Sequence, residues 1–360
     1  MAALRDAEFT AFGNRGMHEK LSAIRETIPD PLRRRDARKT WVPLVRDAAL
    51  YGVGFLVACL GLPFSPVGGI LAGMAIAALF IWAHDAAHGA LMAPPRARFW
   101  GTLAMLPSGH VYALWIPGHN RVHHGFTSLV EMDWIWRPWS PAEYASASRP
   151  RRWEYRLERF PLMTFWTYTR RVWWPGMVVF RGFSRDTLLD KALVALFFLG
   201  AGGLAYALGG FAAVWWAVVF PFLFFQGTIG LVVYLNHTDR DTEFFDSRAH
   251  WNHAWAQLHH SVTWRCRPWA ESWLHNILVH TPHHVDTRIP FYHLPKAFAA
   301  LKGAYPDAVL ERRFTWRAAW QTFRECQLYD YECRRWVRFF EVSPPPKHGA
   351  SRPMRGLPGL

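Results

Sequence analysis

The chain has 360 residues, of which 51% are hydrophobic and 16% aromatic, and it carries a formal net charge of +14. Strongly apolar stretches alternate with strongly polar ones, which disfavours two ordinary soluble domains. The positive charge is typical of a protein that faces nucleic acid or an anionic membrane surface. The four cysteines show no paired short spacing, so we expect free thiols at Cys59, Cys266, Cys326 and Cys333.

Four apolar runs predict four transmembrane helices. Residues 1–43 form a basic segment before the first run. A hydrocarbon core about 30 Å thick requires ~20 apolar residues in a helix. Two short uncharged turns, 63–69 and 209–210, join the runs in pairs and predict two hairpins. The predicted spans are 44–62, 68–88, 188–208 and 211–235.

The distribution of arginine predicts the orientation in the membrane. Residues 89–186 contain 13 arginines and six acidic residues. Lysine and arginine concentrate on the cytoplasmic side, so we expect both termini and the middle segment there. Because the arginines follow these loops rather than one soluble face, a nucleic-acid partner is disfavoured. The predicted fold class is an all-α polytopic membrane protein with a helical cytoplasmic cap.

The predicted organisation has three parts. A basic cytoplasmic segment covers 1–43, and a membrane domain covers 44–310. A cytoplasmic C-terminal segment covers 311–360, and its proline- and glycine-rich tail from Ser343 is expected to be disordered. Two further apolar stretches, 99–116 and 160–183, are interrupted by proline, histidine or arginine, and we expect them to lie along the membrane surface.

Three histidine clusters share the same internal spacing. They read HDAAH at 84–88, HNRVHH at 119–124 and HTPHH at 280–284. At this histidine content, a specified three-histidine pattern is expected only ~0.05 times by chance. Neutral imidazole is a common ligand of iron, zinc and copper. Eight clustered imidazoles exceed what one ion can use, so the pattern predicts a polynuclear site.

The first two clusters are expected on helices. His84 and His88 are four residues apart at the end of a membrane helix, so they face the same way. They fit two ligands of one ion, one ligand of each of two ions, or a hydrogen-bonded capping pair. His119 and His123 repeat this spacing, and His124 is turned about 100° away, which favours a dinuclear centre. A solvated basic stretch is the alternative there.

The third cluster is less regular. We expect Thr281 to be the N-cap of a short helix, with Pro282 at its first position. His283 and His284 would then open this helix, and His280 would approach from the preceding loop. A loop of exposed histidines is the alternative.

A ninth ligand is predicted at His237. It ends the fourth apolar run just as the first cluster ends the second run, and Asp239 could orient it. Asp85, Asp133 and Asn276 are further candidates for residues that orient ligands. Six further histidines fit no repeated spacing and are interpreted as structural or surface residues, with His275 the least certain. This group comprises His110, His253, His259, His260, His275 and His293.

The clusters and the hairpin pattern together resemble the membrane fatty-acid desaturases. The finer sequence is similar to their acyl-lipid delta-12/omega-3 type. The similarity lies in NILVHTPHH at 276–284, YLNHTD at 234–239, and His123 and His124 followed by Thr127 and DWIWRP at 133–138. It covers roughly residues 40–310. Ala86 and Ala87 replace the usual cysteine and glycine, and Asn236 replaces glutamine or histidine. These departures leave the ligands intact but bear on substrate and regioselectivity.

The resemblance implies an enzyme with two non-haem iron ions and molecular oxygen as co-substrate. It would insert a cis double bond into an acyl chain, with the chain attached to a lipid, by successive hydrogen abstraction. The implied metal ligands are His84, His88, His119, His123, His124, His237, His280, His283 and His284. No iron–sulfur cysteine spacing and no His-Pro-Gly-Gly sequence occurs, so a ferredoxin-like protein would supply electrons. The expected location is the bacterial inner membrane.

Two other functions are compatible with parts of this pattern. A hydroxylase or ketolase acting on a lipid, carotenoid or alkane would need the same ligands, although the Asn-Tyr-x-x-His-Tyr-Gly-like sequence of alkane monooxygenases does not occur. A non-catalytic membrane receptor or metal-binding protein would be expected to lack some cluster histidines, and all eight positions are filled.

Overall fold

The computed structural model describes residues 19–180 and 184–342, so the predicted disordered tail lies outside the described residues. The described chain is mainly helical. The first helices are α1 Leu21–Glu26, α2 Ala37–Ala58, α3 Phe64–Ala87, α4 Pro94–Met105, α5 Tyr112–Ile116, α6 Pro141–Ser146, α7 Arg149–Glu158 and α8 Thr164–Tyr168. The later helices are α9 Arg185–Val214, α10 Phe220–His237, α11 His253–His259, α12 Pro268–Trp273, α13 Thr281–Val285, α14 Leu294–Ala304 and α15 Trp316–Glu325.

Shorter elements connect these helices. Single 3₁₀ turns lie at Asp30–Arg33, Leu106–Ser108, Pro161–Met163, Phe291–His293 and Phe339–Glu341. Wider π-helical segments occupy Pro117–His123, Thr169–Val179 and Trp215–Val219. One of these segments contains His119 and His123 of the second histidine cluster, and π-helical turns are frequent at functional sites.

The first apolar pair forms two packed helices, α2 and α3. The first helix begins earlier than the predicted residue 44, because Asp36 caps it by accepting a hydrogen bond from the Lys39 nitrogen at 3.0 Å. The two backbones approach closely where small residues meet. A Cβ atom on Gly54 would lie 2.6 Å from the backbone nitrogen of Ala72. Such small-residue contacts are typical of helix pairs in membranes.

The second apolar pair is one helical stretch broken near its middle. Gly209 and Gly210 have non-helical backbone angles, and they divide α9 into two helical parts. The expected boundary between the spans falls at these two glycines. Leu199 and Phe211 on either side of the break are 73% and 81% exposed, which suits contact with lipid.

Three stretches of the described chain are long and apolar enough to cross a membrane. They are Asp30–Ala58, Phe64–Ala87 and Arg185–His237. The last of these contains the glycine break. Long apolar helices and a described chain that is mostly helical agree with the coarse prediction of a membrane protein.

The prediction of an all-α fold is wrong in the C-terminal part. Strand β1 Val262–Arg265 pairs in parallel with β2 Leu310–Arg313, and β3 Leu328–Asp330 pairs antiparallel with β4 Arg335–Val337. Val262, Thr263 and Trp264 are buried, and their branched or aromatic side chains favour a strand. Strands this short do not stand out in a search for apolar runs of membrane length. All four cysteines are free, as expected.

The core is centred on α3, which packs against α2, α4 and α10. Nearly every side chain in its second half is buried, including Trp82, whose indole nitrogen donates to the Thr40 carbonyl at 2.8 Å. The ends of α3 and α10 lie beside the second cluster and α13. This packing brings the histidines together.

Candidate metal centre

All nine predicted histidine ligands come together in two adjacent groups. Within each group, one ring nitrogen per residue lies within 4.8 Å of every other. The first group contains five residues, His84, His88, His119, His124 and His283. The second group contains four, His123, His237, His280 and His284.

The ring nitrogens of each group converge on a common point. In the first group, His119 Nε2 lies 3.0 Å from His84 Nε2 and 3.2 Å from His124 Nε2. His283 Nε2 completes this set at 3.2 Å from His124 Nε2.

The second group shows the same convergence. Its His237 Nε2 lies 3.2 Å from His123 Nε2 and 3.0 Å from His280 Nε2. His284 Nε2 lies 3.0 Å from His280 Nε2. Each group therefore presents several nitrogen lone pairs to one small volume.

The first cluster lies at the end of α3. His84 is in its last turn and His88 follows directly as the C-cap residue. Both belong to the first group, so the same-face arrangement expected from their spacing is present. Of the arrangements expected for His84 and His88, the structure favours two nitrogens directed at one point.

The second cluster departs from the expected α-helical arrangement. His119 and His123 would share a face of an α-helix, yet they belong to different groups. The reason is the π-helical turn. In this turn the backbone nitrogen of His124 donates to the backbone carbonyl of His119, five residues earlier, at 3.0 Å. This wider turn aligns His119 with His124 and leaves His123 for the second group. The expectation that the adjacent pair serves two ions agrees with this geometry.

The third cluster is shifted by one residue from its expected helix start. His280 is the N-cap residue of α13, Thr281 is the first helical residue and Pro282 the second. The Thr281 hydroxyl donates to the Ser261 carbonyl at 3.1 Å instead of capping the helix. His280 and His284 face the second group, and His283 faces the first.

Polar side chains behind the rings hold several of them in place. His84 Nδ1 lies 2.9 Å from Asp85 Oδ1, and His123 Nδ1 lies 3.0 Å from Asp133 Oδ2. Hydrogen bonds of this kind fix the ring orientation and raise the basicity of the other nitrogen. Asp85 and Asp133 therefore occupy the positions expected of orienting residues.

Gln257 is an orienting residue that the sequence did not reveal. Its Oε1 lies 3.0 Å from His284 Nδ1, and its Nε2 donates to the His124 carbonyl at 2.9 Å. It is located on α11, far from every cluster in sequence. Trp115 was also missed as a site residue, and its indole stacks on the His119 ring at 4.2 Å between centroids. Neither residue belongs to a repeated pattern, so nothing in the spacing indicated them.

Asn276 supports the site indirectly. Its Nδ2 donates to the Phe291 carbonyl at 3.1 Å, and the Phe291 nitrogen donates to Asp85 Oδ2 at 2.7 Å. Asp85 in turn contacts His84. Asn276 thus stabilises the backbone at Phe291, which in turn holds Asp85 in place.

Asp239 does not orient His237 as expected. The helix ends at His237, and the extended backbone of Thr238 carries the next residue away toward β2. There the Asp239 carboxylate accepts hydrogen bonds from Arg312 at 2.7 and 3.0 Å. The ion pair replaces the expected hydrogen bond to the imidazole.

The remaining histidines stay outside both groups. His110 lies 3.2 Å from the Tyr168 hydroxyl in the apolar core, and His275 Nε2 lies 2.7 Å from Asp47 on α2. His253 contacts the His124 carbonyl, and His259 contacts that of Ala308. His260 lies near Glu243, and His293 packs on Tyr292.

The electrostatic environment favours the neutral form of five of the clustered imidazoles. Burial, reinforced by the neighbouring histidines, lowers the pKa of His119, His124, His280, His283 and His284 well below the usual value. A neutral imidazole has the free lone pair that a metal ion requires. His124 Nδ1 and His283 Nδ1 have no hydrogen-bond partner among the described residues. Two nitrogen-rich groups of this kind fit two transition-metal ions.

An apolar cavity of about 660 Å³ reaches both histidine groups. His84 and His119 of the first group and His123, His237 and His280 of the second form part of its wall. The rest of the wall is mainly apolar or aromatic and includes Phe80, Ile81, Leu114, Trp136, Met177, Ile229, Val232 and Val233. Such a cavity favours a long apolar ligand held against the metal site.

Comparisons with known proteins identify the class. Residues 60–316 match the fatty acid desaturase family, so the chain belongs to this family. It is 28% identical over 291 residues to an sn-1 oleoyl-lipid 12-desaturase of Arthrospira platensis, covering 75% of this chain and 78% of that protein. An sn-1 oleoyl-lipid 12-desaturase of Synechocystis sp. is 30% identical over 324 residues, covering 87% and 90%. A chloroplastic omega-6 fatty acid desaturase of Brassica napus is 26% identical over 336 residues, covering 90% and 73%.

The protein is an oxidoreductase of the acyl-lipid desaturase type, as its sequence predicts. The clustered histidines and the long apolar helices are consistent with this class.

Proposed function

We propose that the protein inserts a cis double bond into an oleoyl chain attached to a membrane lipid. The observation that carries this proposal is the position of the apolar cavity, whose wall includes histidines of both groups. The oleoyl-lipid substrate is taken from the names of the relatives. These relatives are named as desaturases, which favours desaturation over hydroxylation or ketolation by the same ligand set.

The cavity wall would hold the acyl chain and exclude water. Ile229 and Val233 on α10 and Phe80 and Ile81 on α3 present apolar side chains to the cavity. An acyl chain that enters from the bilayer exchanges one apolar surrounding for another, so an apolar wall can receive it without exposing it to water. Because the histidines lie in the same wall, a chain that lies along it has its methylenes next to the site of reaction.

Nine histidines would hold two non-haem iron ions, five around one and four around the other. When bound, iron and molecular oxygen supply the oxidising power that an unactivated C–H bond requires. Two hydrogens leave adjacent carbons, and with two electrons and two protons from a donor they reduce O₂ to two molecules of water. Asp85, Asp133 and Gln257 hold the rings in orientation.

The membrane arrangement is also proposed. The helices α2, α3, α9 and α10 would cross the membrane in two hairpins, with the break at Gly209 and Gly210 as the second turn. The domain over 44–310 would then place the histidines, the C-terminal cap and both termini on the cytoplasmic side of a bacterial inner membrane. A ferredoxin-like donor would reach the basic cytoplasmic surface.

The proposal is tested by expressing the protein in a host without polyunsaturated lipids and analysing acyl chains by mass spectrometry. We expect a new diunsaturated C18 chain in lipid-linked form when iron and a ferredoxin system are supplied. A hydroxylated product instead would overturn the desaturation outcome, and no product at all would overturn the enzyme proposal. His123→Ala should abolish the product while membrane insertion is retained, and His250→Ala on the exposed surface is the matched control.

A further inference from the structure

A second groove runs along a different face of α10 from the active-site cavity. It encloses about 1750 Å³ between α8, α10, α12 and the β1–β2 pair. At about 100° per residue, Ile229, Val233 and Asn236 share the face toward the cavity. Leu223, Gly227 and Leu231 share the face toward the groove. The two share one lining residue, Val232, and the body of the helix otherwise separates the groove from the metal centre.

The contact between α8 and α10 closes the space between the two. A Cβ atom on Gly230 would lie 2.6 Å from the Thr164 carbonyl oxygen, so the two backbones touch there. Tyr168 of α8 lines the cavity, whereas Thr164 and Phe165 line the groove. The groove is a site of its own rather than an extension of the catalytic cavity.

The rim of the groove is cationic. Arg265 and Arg313 lie directly opposite each other in the β1–β2 register, and Arg267 follows two residues later. Arg265 is paired with Glu271 at 2.9 Å. Arg267 and Arg313 are exposed and have no acidic partner within 4.0 Å among the described residues. Arg313 therefore lies opposite another cation and has no acidic partner of its own, and an anion bound at the rim would relieve this repulsion.

The floor and edges of the groove suit a lipid. Its floor is the apolar side of α10, and Trp269 and Trp316 stand at its edge, 63% and 73% exposed. Tryptophan side chains concentrate at headgroup depth in membrane proteins. Arginine binds phosphate in a bidentate manner, and basic pockets between membrane helices bind anionic lipid headgroups.

We propose that this groove is a binding site for an anionic glycerophospholipid that is distinct from the substrate cavity. The acyl chains lie against Leu223 and Leu231, and the phosphate lies between Arg267 and Arg313. The charge complementarity of the rim and the apolar floor favour this occupant over an acidic protein, which would not fill an apolar groove beside a membrane helix.

The test is native mass spectrometry of the purified full-length protein in detergent, titrated with dioleoyl-phosphatidylglycerol or dioleoyl-phosphatidylcholine. We expect one phosphatidylglycerol to bind tightly and phosphatidylcholine to bind more weakly. The double variant Arg267→Gln/Arg313→Gln should lower the phosphatidylglycerol affinity about 30-fold, since each basic residue at an anionic surface contributes about a factor of five. Equal affinity for the two lipids in the wild-type protein would overturn the proposal.

A matched control removes the same charge elsewhere. Arg34 and Arg38 are exposed and lie outside the groove, so Arg34→Gln/Arg38→Gln should leave the affinity near the wild-type value. An equal loss in both double variants would assign the effect to net charge and overturn a specific site. Because lipid binding is measured without turnover, failure here is distinguishable from failure of the proposed desaturation.

A second variant tests the apolar floor. Leu223→Trp fills part of the groove and should weaken phosphatidylglycerol binding while Arg267 and Arg313 are intact. Unchanged binding in this variant would overturn the insertion of acyl chains into the groove. If the arginine variant slows reduction by an acidic ferredoxin and leaves lipid binding unchanged, the surface is a protein-docking site and the lipid proposal is wrong.

Discussion

The two histidine groups differ in how firmly the protein holds them. In the four-residue group, His123 is held by Asp133, His280 by the Ile277 carbonyl and His284 by Gln257. All four of these rings are buried. In the five-residue group, His84 alone contacts a carboxylate in the described structure, and two members, His88 and His119, are only partly buried.

Because of this difference, two ions bound by the same type of ligand would be held with different affinities. The four-residue group has fewer ligands, and three of the four are fixed in orientation. The five-residue group has more ligands with less support and lies nearer the surface. Oriented ligands lose less conformational freedom on binding, so we expect the four-residue group to hold its ion more tightly.

The largest expected effect is the loss of a ligand from the smaller group. His284→Ala leaves three imidazoles there, whereas His88→Ala leaves four in the larger group. We expect His284→Ala to abolish turnover and to lose iron. His88→Ala should retain measurable activity and a larger share of its iron, and both are measured by acyl-chain analysis and elemental iron content. Equal losses in the two variants would contradict the proposed asymmetry.

An intermediate effect is expected from the residues behind the rings. Asp133→Asn removes the charge that orients His123, and loss of such a partner lowers metal affinity or activity about 10- to 100-fold. Iron affinity and turnover at saturating iron are measured for this variant. Asp246→Asn, an exposed carboxylate, is the control. An Asp133→Asn variant with wild-type affinity would remove the basis for tighter binding in the smaller group.

A smaller effect is expected in the rate of iron removal. Exposure to a chelator should release iron in two phases, since the partly buried group is more accessible and less well supported. The rate constant of the slower phase should be about tenfold smaller than that of the faster phase, which is the lower end of the effect of one orienting partner on metal affinity. Iron remaining per chain is followed over time by elemental analysis. One phase accounting for both ions would show that the groups behave as a single unit.

The smallest effect is expected at Asp239. Its carboxylate pairs with Arg312 rather than with His237, so Asp239→Asn should leave iron content and affinity near wild type. The free energy of unfolding should fall by about 1 kcal/mol or less, because Arg312 is partly exposed and also pairs with Asp241. A loss of iron as large as that in Asp133→Asn would show that Asp239 does orient His237 in the metal-loaded protein.

Local spacing determined much of this protein. The apolar runs determined where the long helices lie, because about 20 apolar residues are needed to cross a bilayer. The start of the first helix, at Ala37 rather than at residue 44, was not found in this way. The cluster motifs determined the family and eight of the nine histidines, since spacing of this kind is rare by chance, and His237 was found from its position at the end of the fourth apolar run. Asp85 and Asp133 were found because they lie close in sequence to the rings that they contact.

Only the tertiary structure decided how the histidines are divided. His119 pairs with His124 because a π-helical turn replaces the expected α-helix, and hydrogen bonding of that width is not visible in the residue pattern. Gln257 contacts His284 because α11 packs against α13, and Asp239 contacts Arg312 of β2. Sequence spacing fixes which side chains share a helix face, whereas contacts between distant segments depend on how those faces pack.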